Sequence, residues 1–256
     1  LKESKFGISI SNAVQEYKLA ESLENIDVVG IHKHIGSQIT QTGPFVEAVE
    51  KIISLADILK KEGIQIKYLN IGGGLGITYS DESPPHPKEL AAELVPILSK
   101  TKYTIIFEPG RVIVGNAGIL VTRVLYTKMN EGKNFIIVDA GMNDFLRPSL
   151  YDSYQRILPV IKSSADKNIS ADVVGPICES GDFFAKDRIL PDLKKGSLLA
   201  VMSAGAYGFT MSSNYNSRRR IPEVLVKDEE HYVIRERENY TDLIKGEKIP
   251  EFLNHD

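Results

Sequence analysis

The stretch "YLNIGGGLGITY", residues 68–79, places four glycines in five positions directly after an apolar run. Glycine there permits a backbone shape closed to other residues, or lets another group approach the main chain. Two familiar phosphate motifs fail on spacing. The dinucleotide fingerprint needs a third glycine where Ile77 stands, and a P-loop needs Gly-Lys-Ser/Thr where the chain reads Leu75-Gly76-Ile77. A looser cradle of backbone N–H groups and a plain sharp turn both remain open. Glu108-Pro109-Gly110-Arg111 closes a second apolar run. It reads as a turn with a rim ion pair, or as a carboxylate beside a heterocyclic nitrogen with an arginine facing an anion. His34, in "HKHIGS", reads as a core histidine or as a ring stacked on a planar ligand; too few partners accompany it for a metal. Cys178, in "GPICESGD", reads as buried packing, although Glu179 and Asp182 make its loop poor core material. Tyr207, in "GAYGF", reads as a sheet tyrosine whose glycine neighbours let something pack beside it.

The elements that must position these residues alternate through the first part of the chain. "KFGISI" (5–10) predicts a strand, "NAVQEYKLAESL" a helix and residues 27–37 a second strand. A helix follows in "PFVEAVEKIISLADILKK", with Phe45, Val49, Ile52, Ala56 and Leu59 on one face, Pro44 in its first turn and Gly63 at its exit. "IKYLNIGG" predicts a strand, "PKELAAELVPILSK" a helix and "YTIIFEPG" a fourth strand. Such alternation implies a parallel sheet with crossover helices, which binds ligands at the carboxyl ends of its strands. His34 with Ser37, the glycines 72–74, and Glu108 with Arg111 all fall at strand ends. Beyond about residue 115 the pattern becomes strand after strand, an all-β second domain over 116–240 with a short helix or tail over 241–256.

The bulk properties narrow the function classes. A net charge of −3 over 256 residues gives no general basic field for nucleic acid or an acidic membrane. The basic run Arg218-Arg219-Arg220 reads as a solvated loop. A single cysteine excludes an internal disulfide and fits a reducing compartment, so a cytoplasmic location is expected. No stretch is long and apolar enough to span a bilayer, and no signal peptide is visible.

Taken together, "HIGSQ", "NIGGGLG", "EPGR", "VDAGMNDFLRPSLYD", "GPICESGD" and "GAYGFTMSSNYNSR" resemble the meso-diaminopimelate decarboxylases, fold type III pyridoxal-phosphate enzymes. The resemblance runs through nearly the whole chain in the family's order. It implies the second half of a (β/α)8 TIM barrel over 1–115, a β-domain of sandwich-like or barrel-like form behind it, and pyridoxal 5'-phosphate at the barrel mouth. His34 would stack on the pyridine ring, and Ser37 and the N–H groups of Gly72, Gly73 and Gly74 would serve the phosphate, with Tyr207 adding a hydroxyl. Glu108 would keep the ring nitrogen protonated, and Pro109 and Gly110 of the same turn would also belong to the cofactor's binding residues. Arg111 would lie beside cofactor phosphate and substrate. Arg147 and Tyr151 would hold the distal carboxylate of diaminopimelate, beside Tyr207, and Glu179 would face its distal ammonium. Cys178 would reprotonate the α-carbon from the partner subunit of a homodimer. The implied reaction is decarboxylation of meso-2,6-diaminopimelate to L-lysine and CO2, the last step of lysine biosynthesis. Alternatives are a decarboxylase of ornithine, lysine or arginine, or a truncated non-catalytic homologue acting as a binding partner.

One departure stands out. The family's Schiff-base lysine lies on an early barrel strand, and no lysine here has a matching context; Lys5 heads a later strand. A (β/α)8 barrel also needs roughly 200 to 250 residues by itself. The expectation is therefore the carboxyl-terminal part of a longer enzyme.

Overall fold

The computed structural model describes residues 5–162 and 168–253. The chain divides into two compact units, Leu1–Gly115 and Asn116–Asp256.

The first unit is built on three short parallel strands, β1 (Gly30–His32), β2 (Tyr68–Asn70) and β3 (Thr104–Ile106), in that spatial order. Two crossover helices join them, α2 (Gly43–Lys61) between β1 and β2 and α3 (Pro87–Leu98) between β2 and β3, and α1 (Ile10–Glu21) precedes β1. Each helix is legible locally. In α2, Pro44 occupies the first turn, and Gly63 leaves the helix in the left-handed region at φ +91°. The α2 face Phe45, Val49, Ile52, Ala56 and Leu59 is buried against Ile31, Leu69 and Ile71 of the strand layer. In α3, His86 and Glu89 form a capping box: the His86 ring accepts from the Lys88 N–H at 3.1 Å, and the Glu89 carboxylate accepts from the His86 N–H. A four-residue helix, α4 (Arg111–Val114), follows β3.

The strand expected over 5–10 does not form. Gly7 takes φ +72°, α1 begins already at Ile10, and Phe6 and Ile8 lie exposed.

The second unit centres on a six-stranded sheet of order β6-β9-β4-β5-β7-β8. Its strands are β4 (Leu120–Asn130), β5 (Lys133–Val138), β6 (Ile157–Pro159), β7 (Asn168–Val174), β8 (Phe183–Pro191) and β9 (Leu198–Val201). All neighbours pair antiparallel except β5 with β7. Val124, Ile136, Val138, Phe145, Val173, Phe184 and Leu199 form the core. Between β5 and β6 lies α5 (Arg147–Tyr151); β10 (Glu223–Lys227) and β11 (Glu230–Arg235) form a separate hairpin, and α6 (Tyr240–Leu243) provides the short helix expected near the end. Strands β6 and β8 were not legible. "RILP" is too short to show a period, and "FFAKDRIL" interrupts its apolar residues with three charges.

The arginine run is not a solvated loop. Arg218 donates to Asn143 Oδ1 at 2.9 Å and to the Asp139 carbonyl at 2.7 Å, and Arg220 pairs with Glu238 at 2.6 Å. Arg219 lies 4.6 Å from the centroid of the Tyr240 ring. Arg218 and Arg220 thus tie the segment after the last core strand to its neighbours.

Candidate active site

His32, Asn70 and Ile106 stand in register across β1, β2 and β3. Two residues further, at the carboxyl ends, come His34, Gly72 and Glu108: a ring, no side chain, and a carboxylate. The ladder runs on into this second row, since the Lys33 backbone N–H donates to the Asn70 carbonyl at 3.1 Å and the Glu108 backbone N–H to the Gly72 carbonyl at 2.9 Å.

The glycine turn is threaded between the two flanking strand ends. A Cβ at Gly72 would collide with the Lys33 carbonyl, one at Gly73 with the Glu108 carbonyl, and one at Gly74 with the Gly36 carbonyl. Gly72 and Gly74 also take φ +69° and +111°, where a side chain is strained. Close backbone approach accounts for all three. The Gly72 N–H is donated to Asn70 Oδ1 at 2.8 Å, and the Gly73 N–H points to His34 Nδ1 at 3.4 Å. Gln38 fastens the far side of the turn: its amide donates to the Ile77 carbonyl at 2.5 Å and accepts from the Ile77 N–H at 3.1 Å.

Glu108 is held at both oxygens. Asn70 Nδ2 donates to Oε1 at 2.7 Å, and His32 Nε2 lies 3.4 Å from Oε2. The Asn70 amide therefore joins the glycine turn to the carboxylate. Past the Pro109-Gly110 turn, Arg111 opens α4 and donates to Ser37 Oγ at 2.9 Å and to the Tyr79 hydroxyl. The first unit thus gathers His34, Ser37, the glycine turn, Glu108 and Arg111 at the same ends of adjacent strands.

In the second unit, Arg147 begins α5, and its guanidinium lies 5.5 Å from the ring centroids of both Tyr151 and Tyr207. Tyr207 takes φ +61°, a left-handed conformation uncommon for a bulky residue. Its glycine neighbours serve close backbone packing, because a Cβ at Gly208 would collide with the Ala204 carbonyl and one at Gly118 would press into Gly205. Cys178 is an exposed free thiol, so the buried-packing reading fails. It sits in the tight turn between β7 and β8, where Glu179 Oε1 accepts from the Gly181 N–H at 3.2 Å and Oε2 from the Tyr215 hydroxyl at 3.3 Å. The Glu179 carboxylate, with Cys178 adding a smaller effect, pushes the Tyr215 phenol up. Met142, Asn143, Leu146, Glu179, Ser213 and Tyr215 line a cleft of about 210 Å³.

Sequence reasoning passed over His32, Asn70, Gln38, Tyr79 and Tyr215. The alternation His32-x-His34 was a signal for the first, and Asn70 stands two residues before the glycines; Tyr79 and Tyr215 meet their partners only through the fold.

A family model described as "Pyridoxal-dependent decarboxylase, C-terminal sheet domain" matches residues 17–205. The diaminopimelate decarboxylase of Aquifex aeolicus is 53% identical over 246 residues, 96% of this chain and 58% of that protein. The Vibrio cholerae diaminopimelate decarboxylase is 50% identical over 97% of this chain and 60% of its own length. Among solved structures, the Helicobacter pylori diaminopimelate decarboxylase complexed with L-lysine matches with a TM-score of 0.86 at 42% identity, covering 95% of this chain and 60% of that one. The chain spans about three fifths of the length of these relatives.

Proposed function

The chain belongs to the pyridoxal-dependent decarboxylases that carry this C-terminal sheet domain, and from that membership we propose that it decarboxylates meso-2,6-diaminopimelate to L-lysine and CO2 with pyridoxal 5'-phosphate. The observation that carries the reading is the row His34–Gly72–Glu108, backed by Arg111 on Ser37. A ring, a position without a side chain and a carboxylate in succession fit a flat heteroaromatic ring, and the guanidinium beside a serine hydroxyl fits a phosphate.

Each side chain then has a definite task. When bound, the cofactor draws into its ring the electron pair that a departing carboxylate leaves on the α-carbon. His34 would cover one face of that ring. Glu108, held by Asn70 and His32, would keep a proton on the ring nitrogen. Ser37, Arg111, the glycine turn and Tyr207 would serve the phosphate; with the Gly72 and Gly73 N–H groups directed to Asn70 and His34, the Gly74 N–H is the donor of that turn to which we give the task. Once CO2 has left, the Cys178 thiol would give its proton to the α-carbon. Arg147 and Tyr151 would hold the distal carboxylate, and Glu179 the distal ammonium. Both signs of charge at the far end favour a substrate that is a zwitterion there, in contrast to lysine or ornithine.

We read residues 1–115 as part of the wall of a (β/α)8 barrel, residues 116–240 as the β-domain and residues 241–256 as a closing tail. The parallel strands, helix-covered on the side of Ile31 and Leu69 and bare at His32, support the first assignment. The lysine that binds the cofactor covalently is assigned to a segment beyond these residues. We further read the assembly as a homodimer in which Cys178 and Glu179 complete the partner's site.

The test is a turnover panel on the purified protein as the cell makes it. CO2 release from meso-diaminopimelate is expected, with Glu179→Gln and Arg147→Ala each impairing it. Release from ornithine, lysine or arginine instead would reassign the substrate, and none from any of them would end the reading.

A further inference from the structure

We infer that Asp182 is a positioning residue, whose carboxylate holds the turn bearing Cys178 and Glu179 against the loop that leads into Arg147. The inference rests on the proposed roles of Cys178 and Glu179. Asp182 is only 4% exposed, and its two oxygens are split between two segments. Oδ2 accepts from the N–H of Ile177, the residue before Cys178, at 2.6 Å. Oδ1 accepts from the N–H of Met142, five residues before Arg147, at 2.6 Å. One side chain thus sets the spacing of both.

The surroundings are shaped to admit this carboxylate. A Cβ at Gly175 would collide with it, and one at Gly141 would crowd the Ile177 side chain. The main chain closes the same turn, with the Asp182 N–H on the Glu179 carbonyl at 3.0 Å and the Gly175 N–H on the Asp182 carbonyl at 3.0 Å. Ser149, within α5, adds a second tie through its hydroxyl to the Gly181 carbonyl at 2.6 Å.

Stability alone does not explain the arrangement. Burial pushes the Asp182 carboxyl up, against the pull of its two N–H donors and the more distant Arg218. Its folded value lies above the unfolded one, so the charge costs stability as pH rises through that interval. No ion pair of Asp182 is found among the described residues. A buried charge held at a cost, bonded to two segments that carry the candidate chemistry, fits a positional task.

Asp182→Asn separates position from stability. The amide has the size of the carboxylate but a single acceptor oxygen, so its NH2 must face one of the two N–H groups. The expected result is a folded protein with at most a modest loss of thermal stability at neutral pH, because the N–H left without an acceptor is offset in part by removal of the buried charge. Its Cys178 should be alkylated by iodoacetamide at a rate changed about tenfold, and kcat should fall up to about 10²-fold with KM less affected, the scale of a small misplacement. Alkylation is read on the Cys178 peptide by mass spectrometry and needs no cofactor. A wild-type protein inactive on every amino acid would overturn the proposed function while leaving the alkylation result to judge the geometry. Wild-type alkylation rate and kcat in folded Asp182→Asn would overturn the inference. If that variant does not fold, hydrogen exchange on the wild-type protein decides. Protected Ile177 and Met142 amides uphold the clamp, and amides exchanging as fast as those of the exposed tail overturn it.

Discussion

Lys33 stands between His32 and His34, with its ammonium buried over the Phe45 ring, 5.6 Å from the centroid, and no hydrogen-bond acceptor among the described residues. Burial pulls its pKa down to about 8. The unfolded chain therefore binds more protons than the folded one between about pH 8 and the ordinary lysine value, and stability rises with pH across that window. Lys33→Met should stabilise the protein at pH 7 by about 1 kcal/mol, an amount discounted because the side chain is only partly buried. The gain should shrink toward pH 10. Thermal unfolding of both proteins at the two pH values checks this, and an equal gain at both would contradict it. At Gly73 the constraint is steric instead. Gly73→Ala drives a methyl group into the Glu108 carbonyl and should cost about 1–3 kcal/mol or more, with weakened pyridoxal phosphate binding measured by fluorescence titration.

Helix α2 shows how far local pattern reaches. Its periodic face became its buried face, because one stripe of a helix is all that a sheet can cover. Leu59 has no exposed surface, so Leu59→Ala should cost about 2–5 kcal/mol in denaturant unfolding. Gly43, the first residue of the same helix, has nothing near its missing Cβ and no left-handed φ. Gly43→Ala should therefore be neutral or stabilising by up to about 1 kcal/mol, through a smaller loss of backbone entropy. The contrast with Gly73 tests whether neighbours or the residue type set the penalty. Segment 5–10 went the other way: its apolar residues promised a strand, but Gly7 takes φ +72° where extension was expected.

For the whole molecule, the proposed homodimer predicts complementation. A two-fold interface brings the same surface of each subunit to the other, so each can complete its partner's site. Cys178→Ala and His34→Ala should each be inactive alone. Mixed after dissociation, they should regain up to about a quarter of wild-type activity, since half of the molecules are hybrids and each hybrid has one intact site. Hybrids that form yet stay inactive would show that the two residues act within one chain. No helix among the described residues is long and apolar enough to cross a membrane.

What the residues determined by themselves was local or carried by motif: three helices, the three parallel strands beside them, most of the sheet that follows, and the family. These follow from periodicity, caps and glycine placement, all readable over a few neighbouring positions. The tertiary structure decided what depends on distant partners. It set Asn70 and His32 on the two oxygens of Glu108, although Asn70 and Glu108 lie 38 positions apart. It exposed Cys178, turned Arg218 and Arg220 from an apparent surface run into ties, and split the oxygens of Asp182 between two loops. A polar side chain satisfies whichever complementary group the fold brings within about 3 Å, and the order of residues along the chain does not encode that distance.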